Sequence, residues 1–205
     1  MMQLKIKQHT LHMESSNNFT QDLSKCLETL KNGGVILYPT DTIWGLGCDA
    51  TNEKAIERIY NIKKRSDQKS MLVLLDSSRK IPSYINEMPE IAWDLIELTE
   101  KPLTIIYPNA KNLAKNLIAQ DGSIGIRISK DAFNQKLIQK FKKPIVSTSA
   151  NISGEKSPQN FSEISQEIID SIDYVVEWKQ NDFSQTQPSS IIKLGNGGEV
   201  RIIRE

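Results

Sequence analysis

Short apolar runs alternate with helical patterns along this chain, and that alternation restricts the fold more than any other feature. Val35-Ile36-Leu37-Tyr38, "MLVLL" (71–75), "LTIIY" (103–107), "SIGIRI" (123–128) and "PIVSTS" (144–149) read as strands. Before the first of them, Phe19, Leu23, Cys26, Leu27 and Leu30 recur at helical spacing and stop at Gly33-Gly34. Ala55, Ile56, Ile59 and Ile62 predict a second helix, N-capped by Thr51 or Asn52 and ending in the basic cluster "KKR". Pro89 fits the first turn of a helix reaching about Leu98. Leu137, Ile138 and Phe141 line another from about Asp131, and a weaker one lies near 161–169. Leu4 and Ile6 alternate with lysines as in a short edge strand, and "SSIIKL", "GNGG" and "EVRIIR" predict a closing hairpin. Interleaved strands and helices mean an α/β fold. With 205 residues, no internal repeat and no dividing linker, the chain suits a single domain over 1–205. "KQNDFSQTQP" (179–188) is the one loop long and polar enough to serve as a flap.

Composition excludes several functions. The net charge is +1, so nothing global argues for a nucleic-acid or membrane surface, and any electropositive site must be local. The longest apolar run is Met71 to Leu75, too short to span a bilayer. The start "MMQLKIKQHTLHMESS" has no apolar signal core, which points to the cytoplasm. Cys26 and Cys48 form no metal-type cluster and are expected as free thiols in a reducing cytosol. His9 and His12 are the only histidines and have no third ligand nearby, so no protein metal site is expected. A Ser-His-Asp or Cys-His mechanism would have to borrow one of these two.

Four features carry chemistry. "YPTDTIWGLG" (38–47) places Thr40, Asp41 and Thr42 at the end of a strand-like run. "KKRSDQK" (63–69) places Lys63, Arg65 and Lys69 between a helix and a strand. "STSANISG" (147–154) puts Ser147, Thr148, Ser149, Asn151 and Ser153 after the buried "PIV", a poor core but a good cradle for phosphate or carboxylate oxygens. Arg127 within "IGIRIS" is either an exposed strand residue or a fork aimed at an anion. In open α/β sheets, ligands bind off strand ends, where these features lie. "GLGCDA" (45–50) matches a dinucleotide glycine pattern only formally, because "PTDTIW" separates it from the strand, and no Walker A occurs. Cations and hydroxyls without a histidine or cysteine nucleophile suit a site that works by position and charge on a polyphosphate and a small polar acid.

From about residue 20 to 204 the chain resembles the YrdC-type family, the L-threonylcarbamoyladenylate synthases. "GGVILYPTDTIWGLGCDATNEKAIERIYNIKKR", "PLTIIY", "SIGIRIS" and "PIVSTSANISGEKSP" follow in the family's order, and the Lys-x-Arg and Ser-x-Asn signature falls on Lys63, Arg65, Ser149 and Asn151. The resemblance implies a twisted, mixed α/β sheet opening into a positively charged cavity. It implies a nucleotidyltransferase joining L-threonine, bicarbonate or carbon dioxide, and ATP into threonylcarbamoyl-AMP and pyrophosphate, with Mg2+ accompanying the ATP. The product would feed the machinery that threonylcarbamoylates tRNA. The family pattern places the amino acid near Thr42, Arg127 and Ser189 with Ser147 close by. It places ATP at Arg65, Lys69, Ser123, Ser149, Ser157 and Arg204, with Lys63 and Asn151 completing the signature. Trp44 would wall the pocket.

The chain departs from the family at Ser66 and Ser70, where prolines are usual, and at Lys193, where aspartate is common. It ends at Glu205, without the second domain of longer relatives. Three rivals stand beside the synthase reading. A YciO-like paralogue resembles the chain near "QTQPSSII" but lacks the Ser-Ala-Asn motif. A double-stranded RNA or tRNA-binding module would need a basic-aromatic stripe that is missing. The carbamoyl-transfer domain of hydrogenase maturation proteins belongs to much longer chains.

Overall fold

The expected helices and strands arrange themselves around one long sheet. The computed structural model describes residues 18–64, 71–184 and 187–205. Helix α1 (18–31) turns Leu23, Cys26 and Leu30 into the core and ends where Gly33 adopts φ 76°, a left-handed conformation that favours glycine. Strand β1 (Ile36–Tyr38) is wholly buried. Helix α2 (Glu53–Ile62) is capped by Asn52, whose side chain accepts from the amides of Lys54 and Ala55 and so settles the choice against Thr51. Strand β3 (Leu72–Leu75) leads into an unanticipated 3-10 turn, Ser78–Ser83. Pro89 is the N-cap of α3 (Glu90–Leu98), one position before the first turn. Then come β4 (Leu103–Tyr107), β5 (Ile124–Ile128), α4 (Ala132–Phe141) and β6 (Ile145–Ser149). The weak helix resolves into a 3-10 turn, Phe161–Glu163, and a one-turn α5 (Gln166–Asp170). The hairpin of β8 (Ser190–Leu194) and β9 (Val200–Arg204) closes the chain.

Two strands escaped the sequence reading. β7 (Tyr174–Val175) is two residues long, and β2 (Gly45–Gly47) is "GLG", the segment with the formal dinucleotide pattern. Its glycines serve packing. A Cβ on Gly45 would stand 3.1 Å from Thr148 O, and one on Gly47 would stand 2.6 Å from the Tyr38 ring. Only glycine lets this strand lie that close to its neighbours.

The strand order is β7-β1-β2-β6-β3-β5-β4-β8-β9. β1 and β7, β3 and β5, and β4 and β8 run parallel, and the remaining neighbours are antiparallel, which makes the sheet mixed. Register decides what shares a face. Leu72 stands opposite both Gly125 and Ser147, and Thr104 stands opposite both Arg127 and Ile191. These residues line the floor of a single cavity.

Cys26 and Cys48 are free and buried, and burial pushes both thiols far above their usual pKa. No helix among the described residues is long and apolar enough to cross a membrane. Leu4, Ile6, His9, His12, Arg65, Ser66, Lys69 and Ser70 lie outside the described residues. Residues 179–184 of the expected flap carry a turn at 179–181 and no helix or strand.

Candidate active site

The turn 39–44 forms one wall. Thr40 folds it: its hydroxyl donates to Ile43 O at 2.7 Å, accepts from the Thr42 amide at 3.1 Å and lies 2.9 Å from the Thr42 hydroxyl. Such local side-chain bonds replace the ladder that Pro39 cannot continue. The turn thereby brings Thr42 and Trp44 to the cavity edge. Trp44 packs on Phe161 with ring centroids 4.9 Å apart, so it is both core and wall.

The floor carries the cations. Arg127 is 4% exposed, with Nη2 3.2 Å from Asp41 Oδ1. The contact is one of charge, since among the described residues neither Asp41 oxygen is the acceptor of an aligned hydrogen bond and Arg127 Nε has no partner. A buried donor left open in a cavity wall is an invitation to an anion. Arg204 reaches in from β9 and donates through Nε and Nη2 to Ser189 O, at 2.9 and 2.6 Å. Burial, together with the nearby Arg127 charge, lowers the Arg204 pKa from its ordinary value. The Ser189 hydroxyl lies 2.8 Å from that of Thr104, so Ser189 is held at both ends.

The loop after β6 forms the other wall. Its shape depends on Lys63, which was expected to act on phosphate charge. Lys63 is buried, and its ammonium donates to the carbonyls of Ser149 and Asn151. Its own carbonyl accepts from the Ser153 amide at 2.9 Å. A point charge with several donors suits a turn of inward-facing carbonyls. Asn151 donates to Ile152 O and Glu155 O at 2.9 and 2.8 Å, which leaves its Oδ1 buried and unpartnered.

Thr42, Lys63, Arg127, Ser147, Ser149, Asn151, Ser157, Ser189 and Arg204 thus meet around one cavity of about 350 Å3. Ser123 is not among its lining residues. Its hydroxyl donates to Asp121 at 2.6 Å, and Asp121 is also paired with Lys193. Arg65 and Lys69 fall outside the described residues. Sequence reasoning did not single out Thr104, although a threonine directly opposite a functional arginine on a neighbouring strand was the available signal. No carboxylate among the described residues lines the cavity. Among the described residues no group of three or more His, Cys, Asp or Glu is placed to hold a metal ion.

A family model for Sua5/YciO/YrdC, described as "Telomere recombination", matches residues 28–205. A threonylcarbamoyl-AMP synthase from Pseudoalteromonas translucida is 34% identical over 183 residues, covering 87% of this chain and 96% of that protein. P. abyssi Sua5 complexed with L-threonine superposes with a TM-score of 0.75 at 24% identity, over 84% of this chain and 50% of that one. E. coli YciO superposes with a TM-score of 0.77 at 24% identity, over 89% of this chain and 88% of that one. Both solved structures share the overall fold described above. The chain belongs to the Sua5/YciO/YrdC family.

Proposed function

We infer that this chain is an enzyme that makes threonylcarbamoyl-AMP from L-threonine, bicarbonate or carbon dioxide, and ATP, with release of pyrophosphate. The observation that carries the reading is the meeting of two arginines, the buried Arg127 and the more exposed Arg204, with a ring of serine and threonine hydroxyls in a cavity whose wall holds no acid among the described residues. The 34% identity to a named synthase supports it.

The amine of threonine, when neutral, adds to carbon dioxide, loses a proton and becomes a carbamate. A carbamate oxygen then attacks the α-phosphorus of ATP, and pyrophosphate leaves. Both reactants are anions, so charge repulsion is the main obstacle. Arg127 offers its open Nε to the threonine carboxylate, and Thr42, Ser147 and Ser189 complete that subsite. Arg65, Lys69, Ser149, Ser157 and Arg204 take the nucleotide. Lys63 acts by holding the Ser149 and Asn151 carbonyls, so the loop keeps its shape while the reactants are brought together. Mg2+ bound to the ATP phosphates would supply charge neutralisation there, with Arg65, Lys69 and Arg204 as the residues facing the same phosphates. The product passes to the tRNA threonylcarbamoyl-transfer machinery in the cytoplasm.

YciO shares the fold as closely, but "STSAN" at 147–151 matches the synthase pattern, and four of these five residues line the cavity. The test is a pyrophosphate assay in degassed buffer with each component omitted in turn. Release is expected only with magnesium-ATP, threonine and bicarbonate together, because the nucleophile forms only when amine and carbon dioxide combine. Release independent of bicarbonate would remove the carbamate route. No release under any condition would favour a binding module.

A further inference from the structure

A buried side chain outside the cavity bears on the reaction. Asn134 lies in the first turn of α4 and is 1% exposed. The rest of that face is apolar: Phe133, Leu137, Ile138 and Phe141. An asparagine weakens a helix and gains nothing from an apolar core. Its amide nitrogen lies 3.0 Å from Pro39 O and 2.9 Å from Asp131 Oδ1. Both neighbours are acceptors, so only the NH2 group can face them. That orientation leaves Asn134 Oδ1 buried with no partner among the described residues. A buried acceptor left unpaired is unfavourable, and the bridge that Nδ2 makes is what offsets it.

The bridge joins two parts of the site. Pro39 opens the turn that carries Thr42. Asp131 caps α4, accepting from the amides of Phe133 and Asn134, and its other oxygen takes Lys179 Nζ at 3.2 Å. α4 follows directly on β5, the strand that carries Arg127. Asn134 therefore ties the turn to the strand through a single amide.

We propose that Asn134 is a positioning residue for the amino acid, setting the separation between Thr42 and Arg127. The inference rests on the reading that those two residues hold threonine. It requires that loss of the bridge weaken threonine and spare ATP, whose proposed contacts are Arg65 and Lys69 after α2, Ser149 and Ser157 at and beyond the end of β6, and Arg204 on β9.

The test measures KM for threonine and for ATP separately in the wild-type chain, Asn134→Ala and Asn134→Asp. Alanine suits a helix and removes the donor, so it carries the test even if the aspartate variant fails to fold. The alanine variant is expected to raise KM for threonine about tenfold, with KM for ATP within about twofold of wild type. Aspartate should be worse, because its carboxylate faces two oxygens. An unchanged threonine KM, or an equal rise in both constants, would overturn the inference while leaving the synthase reading intact. A wild-type chain without threonine-dependent turnover would overturn that reading, and this inference with it.

Discussion

Arg127 and Asp41 form an ion pair withdrawn from water, 3.2 Å apart, with side chains 4% and 9% exposed. Removing one member of such a pair leaves the other charge unpaired, at about 3–5 kcal/mol. Arg127→Ala should therefore lose activity and stability together. Adding Asp41→Ala should restore much of the stability and none of the activity. Denaturant midpoints of the two single variants and the double variant check this. A double variant no more stable than Arg127→Ala would show that the pair is energetically silent.

Lys63→Met is expected to reduce kcat/KM by roughly a hundredfold, the scale of losing charge-assisted bonds of about 1.5–3 kcal/mol each. The chain should still fold, since the ammonium holds a loop and not the core. Hydrogen exchange read at amides 149–155 should quicken in the variant. Lost activity with unchanged protection there would return Lys63 to a direct role on phosphate.

Much of this was legible beforehand. The strands with β-branched, apolar sequences announced themselves, and so did the helices with a clear apolar face. β2 did not, because glycine is no strand former and the pairing of Gly45 with Ser149 comes from tertiary packing. β7 is too short to show a period. The serines and threonines of 147–149 pointed to a ligand because no core needs them. Lys63 was legible as important but not as a clamp, since the carbonyls it holds lie 86 and 88 residues away in sequence. Asn134 had a visible signal, a polar residue on an apolar helical face, and its meaning appeared only with Pro39 beside it.

Amino-acid selection should be moderate. A site that meets the threonine methyl group gains about 1–3 kcal/mol from it, so serine should be roughly ten- to two-hundredfold worse in kcat/KM. Competition between the two amino acids in one reaction, with products separated by chromatography, measures the ratio. Equal use of both would mean that Trp44 and its neighbours leave the methyl unread.

Away from the cavity lining, Lys193 and then Ser123 hold the Asp121 carboxyl down to about 2, from a usual 3.8. Its folded pKa is depressed, so the contribution to stability is present above about pH 3.8 and is lost as pH falls through about 2. The pair is exposed, and its worth is about 0–1 kcal/mol, reduced by salt. In Lys193→Met the carboxyl should titrate closer to its ordinary value, as followed by NMR. An unmoved titration would assign the shift to Ser123 alone.

The pairing of Gly45 with Ser149 and Leu46 with Thr148 works as a fixed calliper. One jaw is the turn proposed to meet the amino acid, and the other is the loop proposed to meet the nucleotide. A strand advances by about 3.3 Å per residue and reverses its faces at each step, so the jaws open only in double steps of about 7 Å. Gradual widening for a longer amino acid is therefore closed to this scaffold. A relative that accepts one must enlarge the walls with smaller side chains, because the ladder between the jaws does not slide by part of a residue.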